Sequence, residues 1–189
     1  MLLDHIITRP EHADIAATFT RWRDYMAAHL DFSLPDSPIH TMPHCARVLL
    51  LALAVARREG FAETEALAHA AIFHDTRRRD DGRDTGHGWR AAAYYTNFCD
   101  GRADIDYSPL AAALMAWHDQ PDVDGIEGVS RLSGGAPAWL MAYRIFKDAD
   151  ALDRVRLGDL NPAMLRTRSA RAMVDFAETL YRESGAEAA

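Results

Sequence analysis

Several histidines and aspartates of this chain fall inside otherwise apolar segments, where a polar group needs a reason. His44 opens one such segment, His74-Asp75 closes the next, and His118 follows Leu114 and Met115 near the end of another. Asp148 and Asp150 sit within Tyr143-Arg144-Ile145-Phe146-Lys147-Asp148-Ala149-Asp150-Ala151-Leu152. Desolvating a lone carboxylate is costly, so such groups are normally paired or bound to metal. Imidazole with carboxylate is a ligand set that suits Zn, Fe, Mn, Co or Ni. Ligands lent one at a time by several helices are a common way to build a metal site in a bundle. The chemistry open to such a set is metal-assisted.

The segments that must position these residues read as helices. Thr8-Arg9-Pro10-Glu11 has the pattern of a helix start, and Ile15, Phe19, Trp22 and Met26 follow at helical spacing. The sequence predicts a first helix over 10–30 and a Pro-rich loop over 31–42, with Pro43 just beyond. From His44 to about Arg58 the chain is apolar on nearly every side, as in a central buried helix, and Gly60 ends it. A further helix is expected over 62–75. Residues 76–89, rich in Arg, Asp and Gly, read as an exposed loop. Helices are expected near 88–99, 107–119 and 137–156. Between the last two, 120–136 reads as a loop that could act as a lid. Asn161-Pro162 suits a cap for a last helix over 162–182, with Met173, Phe176, Ala177 and Leu180 on its apolar face and a frayed tail over 183–189. There is no strand pattern, repeat or linker. The expected fold is one all-α domain over 1–189, a bundle of six to eight helices. The apolar faces of the first and last helices can pack within one chain or across a homodimer.

The 189 residues are 49% hydrophobic, enough for a sizeable core, and carry a net charge of −7. That balance argues against a nucleic-acid scaffold that relies on a basic surface, and leaves room for a small anionic substrate. Two cysteines imply no disulfide framework and fit a reducing cytoplasm. Asp4 and His5 interrupt the N-terminal apolar residues, so no signal peptide is expected, and the apolar run from Val48 to Ala56 is too short to span a membrane.

Three motifs in order carry a family resemblance over roughly residues 40–156. They are His44-Cys45-Ala46-Arg47-Val48 before a small-aliphatic helix, Ala71-Ile72-Phe73-His74-Asp75, and Asp148-Ala149-Asp150-Ala151-Leu152-Asp153. This set resembles the HD superfamily of metal-dependent phosphohydrolases, all-α proteins that are mostly phosphomonoesterases and phosphodiesterases. The resemblance implies His44, His74, Asp75 and Asp150 as metal ligands. Asp150 is preferred because the family's closing aspartate lies in an Ala-Asp-x-Leu pattern, since helical periodicity leaves Asp148 and Asp150 equivalent. Asp148 would then hydrogen-bond a ligand or pair with Arg144. Members with two metals add histidines between the doublet and the closing aspartate. His118 and His87 fall there, with Asp75 as the bridge, although a packed His118 and a helix-capping His87 are the plain alternatives.

Some branches place a Glu general base three residues after the doublet's aspartate, and others a phosphate-contacting Lys. Arg78 resembles the second type, and its forked guanidinium suits phosphate. The alternative is a solvated run of Arg77, Arg78 and Arg79 paired with Asp80, Asp81 and Asp84. Lys147, Arg154 and Arg156 either help bind an anion or are helix-surface charges. The implied function is hydrolysis of a phosphomonoester or small nucleotide, with Asp75 and Arg78 at the reaction and Arg78, Lys147 and Asp148 against the substrate. The same ligand set suits a di-iron oxygenase of the superfamily, and some relatives are non-catalytic binding modules. His5, His12 and His29 read as surface histidines, His69 as packing or solvent-facing, and His40 as a loop residue near the pocket. The four tryptophans read mainly as core residues.

Overall fold

In the computed structural model, which describes residues 3–185, the apolar run after His44 becomes the centre of the molecule. Among the described residues ten α-helices follow in chain order: α1 (Asp4–Ile7), α2 (Ala16–His29), α3 (Met42–Glu59), α4 (Thr64–Phe73), α5 (His87–Cys99), α6 (Pro109–Trp117), α7 (Asp122–Ser133), α8 (Pro137–Leu152), α9 (Arg168–Arg171) and α10 (Val174–Gly185). Short 3-10 turns cover Pro10–His12, Asp153–Leu157 and Pro162–Met164. The described residues contain no strand, and the protein is an all-α bundle. None of the described helices is long and apolar enough to cross a membrane.

Every residue of α3 from His44 to Ala56 is buried. A helix apolar all round must be covered all round, and α2, α4, α8, α9 and α10 all pack on it. Gly60, at φ +66°, ends α3 in the left-handed conformation that glycine adopts without steric cost. Pro43 lies inside the first turn of α3 rather than in the preceding loop, a position where its missing N–H costs nothing. Phe19, Trp22 and Met26 of α2, and Ala177 and Leu180 of α10, are buried within this one chain.

Four sequence expectations change. Residues 122–133 form helix α7 rather than a lid loop. The glycines that suggested a loop serve close packing: a Cβ on Gly125 would lie 1.9 Å from the Tyr143 hydroxyl, and one on Gly128 would lie 2.2 Å from the Trp117 ring. Thr8 does not open a helix, since its hydroxyl donates back to the Asp4 carbonyl and closes α1, and α2 begins only at Ala16. Asn161 does cap, accepting from Ala163 N at 3.1 Å, but it caps the 162–164 turn, and the last helix begins at Val174. Residues 183–185 continue α10 instead of fraying, and the rest of the expected tail lies outside the described residues.

Candidate metal centre

Four histidines reach one interior point from two helix pairs. His44 stands in the first turn of α3 and His74 just after α4, 74 − 44 = 30 residues on. His87 is the first residue of α5 and His118 stands just after α6, 118 − 87 = 31 residues on. Each closing histidine folds back on the carbonyl three residues before it. His74 Nδ1 donates to Ala71 O at 2.9 Å, and His118 Nδ1 donates to Met115 O at 2.7 Å. His87 Nδ1 donates to Asp84 O at 2.8 Å and His44 Nδ1 to Asp153 Oδ2 at 2.7 Å. With Nδ1–H committed in all four rings, each ring turns its Nε2 to the site, a lone pair wherever the ring is neutral, the arrangement that metal-ligating histidines use. Gly88 makes the approach of α5 to α6 possible: a Cβ there would lie 2.3 Å from Met115 O and 2.9 Å from His118 Nδ1.

Asp75 lies between the pairs. Its Oδ2 is 3.4 Å from His44 Nε2 and 3.8 Å from His74 Nε2, and its Oδ1 is 3.1 Å from His87 Nε2. Asp150 Oδ1, from α8, is 3.5 Å from His44 Nε2 and 3.9 Å from His74 Nε2. Two groups of buried donors close enough to share an ion result, His44-His74-Asp75 and Asp75-His87-His118. The Nε2 atoms stand 3.1 Å apart in the first pair and 2.8 Å apart in the second. At that range two bare lone pairs would repel, so each pair must share either a proton or a cation. Imidazole nitrogens bound to one ion at about 2.0–2.1 Å stand about 2.9–3.4 Å apart, so the spacing also suits a shared cation. These buried clusters can hold a metal ion.

Charge around the site points the same way. Burial works against ionisation of Asp75, but His74, His44 and His87 outweigh it and hold the carboxyl well below its usual range. Burial likewise opposes ionisation of Asp150, and His44, His74 and His118 overcome it. His74 and His118 are pushed down by burial, His74 to about 3, which keeps them neutral. His44 goes the other way. Burial and Arg156 oppose its protonation, but Asp150, Asp153 and Asp75 prevail and lift it to about 10. A proton therefore occupies His44 when no metal does. Its contribution to the metal-free fold is complete below pH 6.5, the ordinary histidine value, and is lost as pH rises through 10. Metal binding must expel that proton. Calorimetry at pH 8 in buffers of different ionisation heat is expected to show at least about one proton released per chain on metal binding. Affinity should rise about tenfold per pH unit between pH 7 and 9. Binding without proton release would contradict this electrostatic description.

Two supporting carboxylates were not singled out from the sequence. Asp153 Oδ2 holds His44, while Arg47 grips both Asp153 oxygens at 2.6 and 3.0 Å and Arg156 reaches Oδ2 at 3.3 Å. The available signal was its place three residues after Asp150, on the same side of the chain. Asp119, directly after His118, takes Gly86 N and Gln120 Nε2 and lies 3.5 Å from His87 Nδ1. Because Asp153 fixes both the tautomer and the basicity of His44, Asp153→Asn is expected to weaken metal binding by about 10- to 100-fold. Helical circular dichroism should be retained. Unchanged affinity would mean that Asp153 serves Arg47 alone.

A cavity of about 690 Å³ opens over this floor, and Asp75, His87, His118 and Asp150 form part of its lining. Asp150 is the ligand candidate that faces it most, with its side chain 31% exposed. Arg78, Lys147, Arg154, Arg156 and Arg166 also line it. Arg78 is buried, unlike the exposed Arg79, and contacts Asp75 Oδ1 at 3.4 Å and His87 Nε2 at 3.2 Å rather than joining a solvated run. Lys147 donates to Gln120 O at 2.6 Å and pairs with Asp122 at 3.1 Å. His40 lines the cavity, with Nδ1 3.1 Å from Asp81.

Asp148, expected against the substrate or paired with Arg144, is not among the described residues that line the cavity, and its partners are Arg166 and Thr167. It is fully buried and accepts from Arg166 N, Thr167 N and the Thr167 hydroxyl at 2.7–2.8 Å, and from the Arg166 guanidinium at 3.1 Å. His12, expected at the surface, is buried against Phe176, with no hydrogen-bond partner for either ring nitrogen. His69 packs on Trp22 and bonds the Tyr95 hydroxyl at 2.8 Å. Trp89 is exposed rather than core. No known family model, curated protein or solved structure matches the chain.

Proposed function

We propose that the chain is an HD-type metal-dependent phosphohydrolase acting on a small phosphomonoester. The observation that carries this reading is the convergence of four histidine Nε2 atoms and the carboxylates of Asp75 and Asp150 on the floor of one cavity that arginines and aspartates line together. The motif resemblance supports it. One or two divalent ions from the set Mn, Co, Ni, Zn and Fe suit these donors. When bound, such an ion supplies Lewis acidity and makes water nucleophilic near neutral pH. His44, His74, Asp75 and Asp150 would hold a first ion, and His87, His118 and Asp75 would hold a second. Arg78 donates its forked N–H groups to the phosphate oxygens, whose charge grows toward the transition state. Lys147 adds positive charge to the same wall. Asp75, at the centre of the floor, orients the attacking water. A soluble, cytoplasmic setting fits this activity.

The lining favours one substrate body over another. Ile39, Ala151, Leu157, Leu160 and Met164 form its apolar part, and no Phe, Tyr or Trp is among the described lining residues. A nucleobase gains from stacking on aromatic rings, whereas an aliphatic body gains from side chains like these. Across a panel of phosphomonoesters, short aliphatic phosphates should exceed nucleoside monophosphates in kcat/KM by about tenfold or more. A preference for nucleotides would contradict the aliphatic assignment, and no turnover with any ester would contradict the hydrolase. The six-residue set also suits a di-iron oxygenase. Stoichiometric iron together with oxygen consumption would favour that chemistry instead.

A further inference from the structure

The two halves of the centre are unequal. The first half gathers His44 Nε2, His74 Nε2 and Asp75 Oδ2, and adds a second carboxylate, Asp150 Oδ1, at 3.5 and 3.9 Å from the two imidazole nitrogens. The second gathers three, His87 Nε2, His118 Nε2 and Asp75 Oδ1, and its one carboxylate is shared. Arg78 Nη1 touches two of those three atoms, Asp75 Oδ1 at 3.4 Å and His87 Nε2 at 3.2 Å. The rest of the guanidinium is fixed by the Gly82 carbonyl at 2.6 Å and the Asp80 carbonyl at 3.3 Å. It is buried. Nη1 is almost as near to His87 Nδ1, at 3.4 Å, so it lies against the ring, and a fixed positive charge stands beside the donors that a second ion would need.

We propose that Arg78 is a resident cation of the second half-site and competes with the second metal ion. The chain then binds one ion tightly at His44, His74, Asp75 and Asp150. The second ion binds weakly until the guanidinium leaves Asp75 and His87. The cavity that Arg78 lines is where an anion would draw it away. By reciprocity an anion that engages Arg78 strengthens the second ion, and that ion strengthens the anion. Second-metal loading is thus coupled to the presence of a phosphate group. This inference rests on the metal reading of the site.

The test is a titration of Mn²⁺ into metal-free protein, followed by calorimetry and by electron paramagnetic resonance, which detects exchange between paired manganese ions. Wild type should show one tight equivalent and a second weaker by roughly 10- to 100-fold. Arg78→Ala should tighten the second equivalent by about tenfold or more, leave the first unchanged, and show the coupled-pair signal at two equivalents. Arg78→Gln, which keeps an N–H donor for Gly82 without the charge, should behave alike and guards against a local collapse in the alanine variant. Inorganic phosphate should tighten the second equivalent in wild type and have a much smaller effect in either variant. Two equally tight equivalents in wild type would overturn the inference while sparing the metal reading. So would variants whose second site is unchanged or weaker. No Mn²⁺ binding in any of the proteins would overturn both.

Discussion

An Asp75→Ala chain is expected to retain under about a tenth of the wild-type metal and to hydrolyse phosphomonoesters at least about 10³-fold more slowly. Asp75 faces both histidine pairs, through Oδ2 to His44 and His74 and through Oδ1 to His87. Its removal takes a carboxylate from each half of the centre and leaves the Nε2 atoms with too little negative charge to hold a dication. The fold should survive. Among the described residues the partners of the Asp75 carboxylate are His44, His74, His87 and Arg78, with no backbone N–H of a helix end. The check is elemental analysis, steady-state kinetics and far-UV circular dichroism on one preparation of each protein. Turnover near the wild-type level in the variant would sink the hydrolytic assignment.

The two aspartates of α8 are expected to fail in opposite ways. Asp148→Ala removes a fully buried carboxylate that holds Arg166 N, Thr167 N, the Thr167 hydroxyl and the Arg166 guanidinium. Leaving those donors buried and unpaired should cost about 3–5 kcal/mol, or about 6–20 °C in Tm for a chain of this size. Bound metal should be nearly unaffected at temperatures where the variant is folded. Asp150→Ala should do the reverse. Its carboxylate faces the cavity and the first histidine pair, so the variant should lose metal while the metal-free protein melts within a few degrees of wild type. Thermal melts of metal-free and metal-loaded proteins separate the two cases. Metal loss in Asp148→Ala with unchanged stability would reverse the assignment made here.

The contrast between these residues marks how far the sequence carries. Asp148 and Asp150 both have apolar neighbours three and four residues away, so periodicity could not separate them. What separates them is the segment at Arg166 and Thr167, 18 and 19 residues downstream, whose return to α8 is a tertiary event. The buried helix after His44 was legible because an all-apolar surface has no other place to go. Helix α7 was not, because Gly125 and Gly128 look like loop residues until Tyr143 and Trp117 are seen lying against them. Burial of the isolated histidines was hardest to read. His12 and His69 are buried as packing groups, while His87 and His118 are buried with their Nε2 atoms facing Asp75 and each other. Only the spatial position of the partner carbonyls distinguishes the two uses. The matched spacing of His44 with His74 and of His87 with His118 was present in the sequence. It gains meaning once α3–α4 and α5–α6 are seen as two helix pairs facing one another.

Every step of the proposed chemistry depends on a metal ion held by these residues, so the decisive measurement is the metal content of freshly purified protein beside Asp150→Ala. The account predicts at least about one equivalent of a divalent transition metal per wild-type chain, rising toward two when excess metal and phosphate are supplied, and little in the variant. A wild-type chain that takes up none of Mn, Fe, Co, Ni or Zn, even after incubation with each, would contradict it.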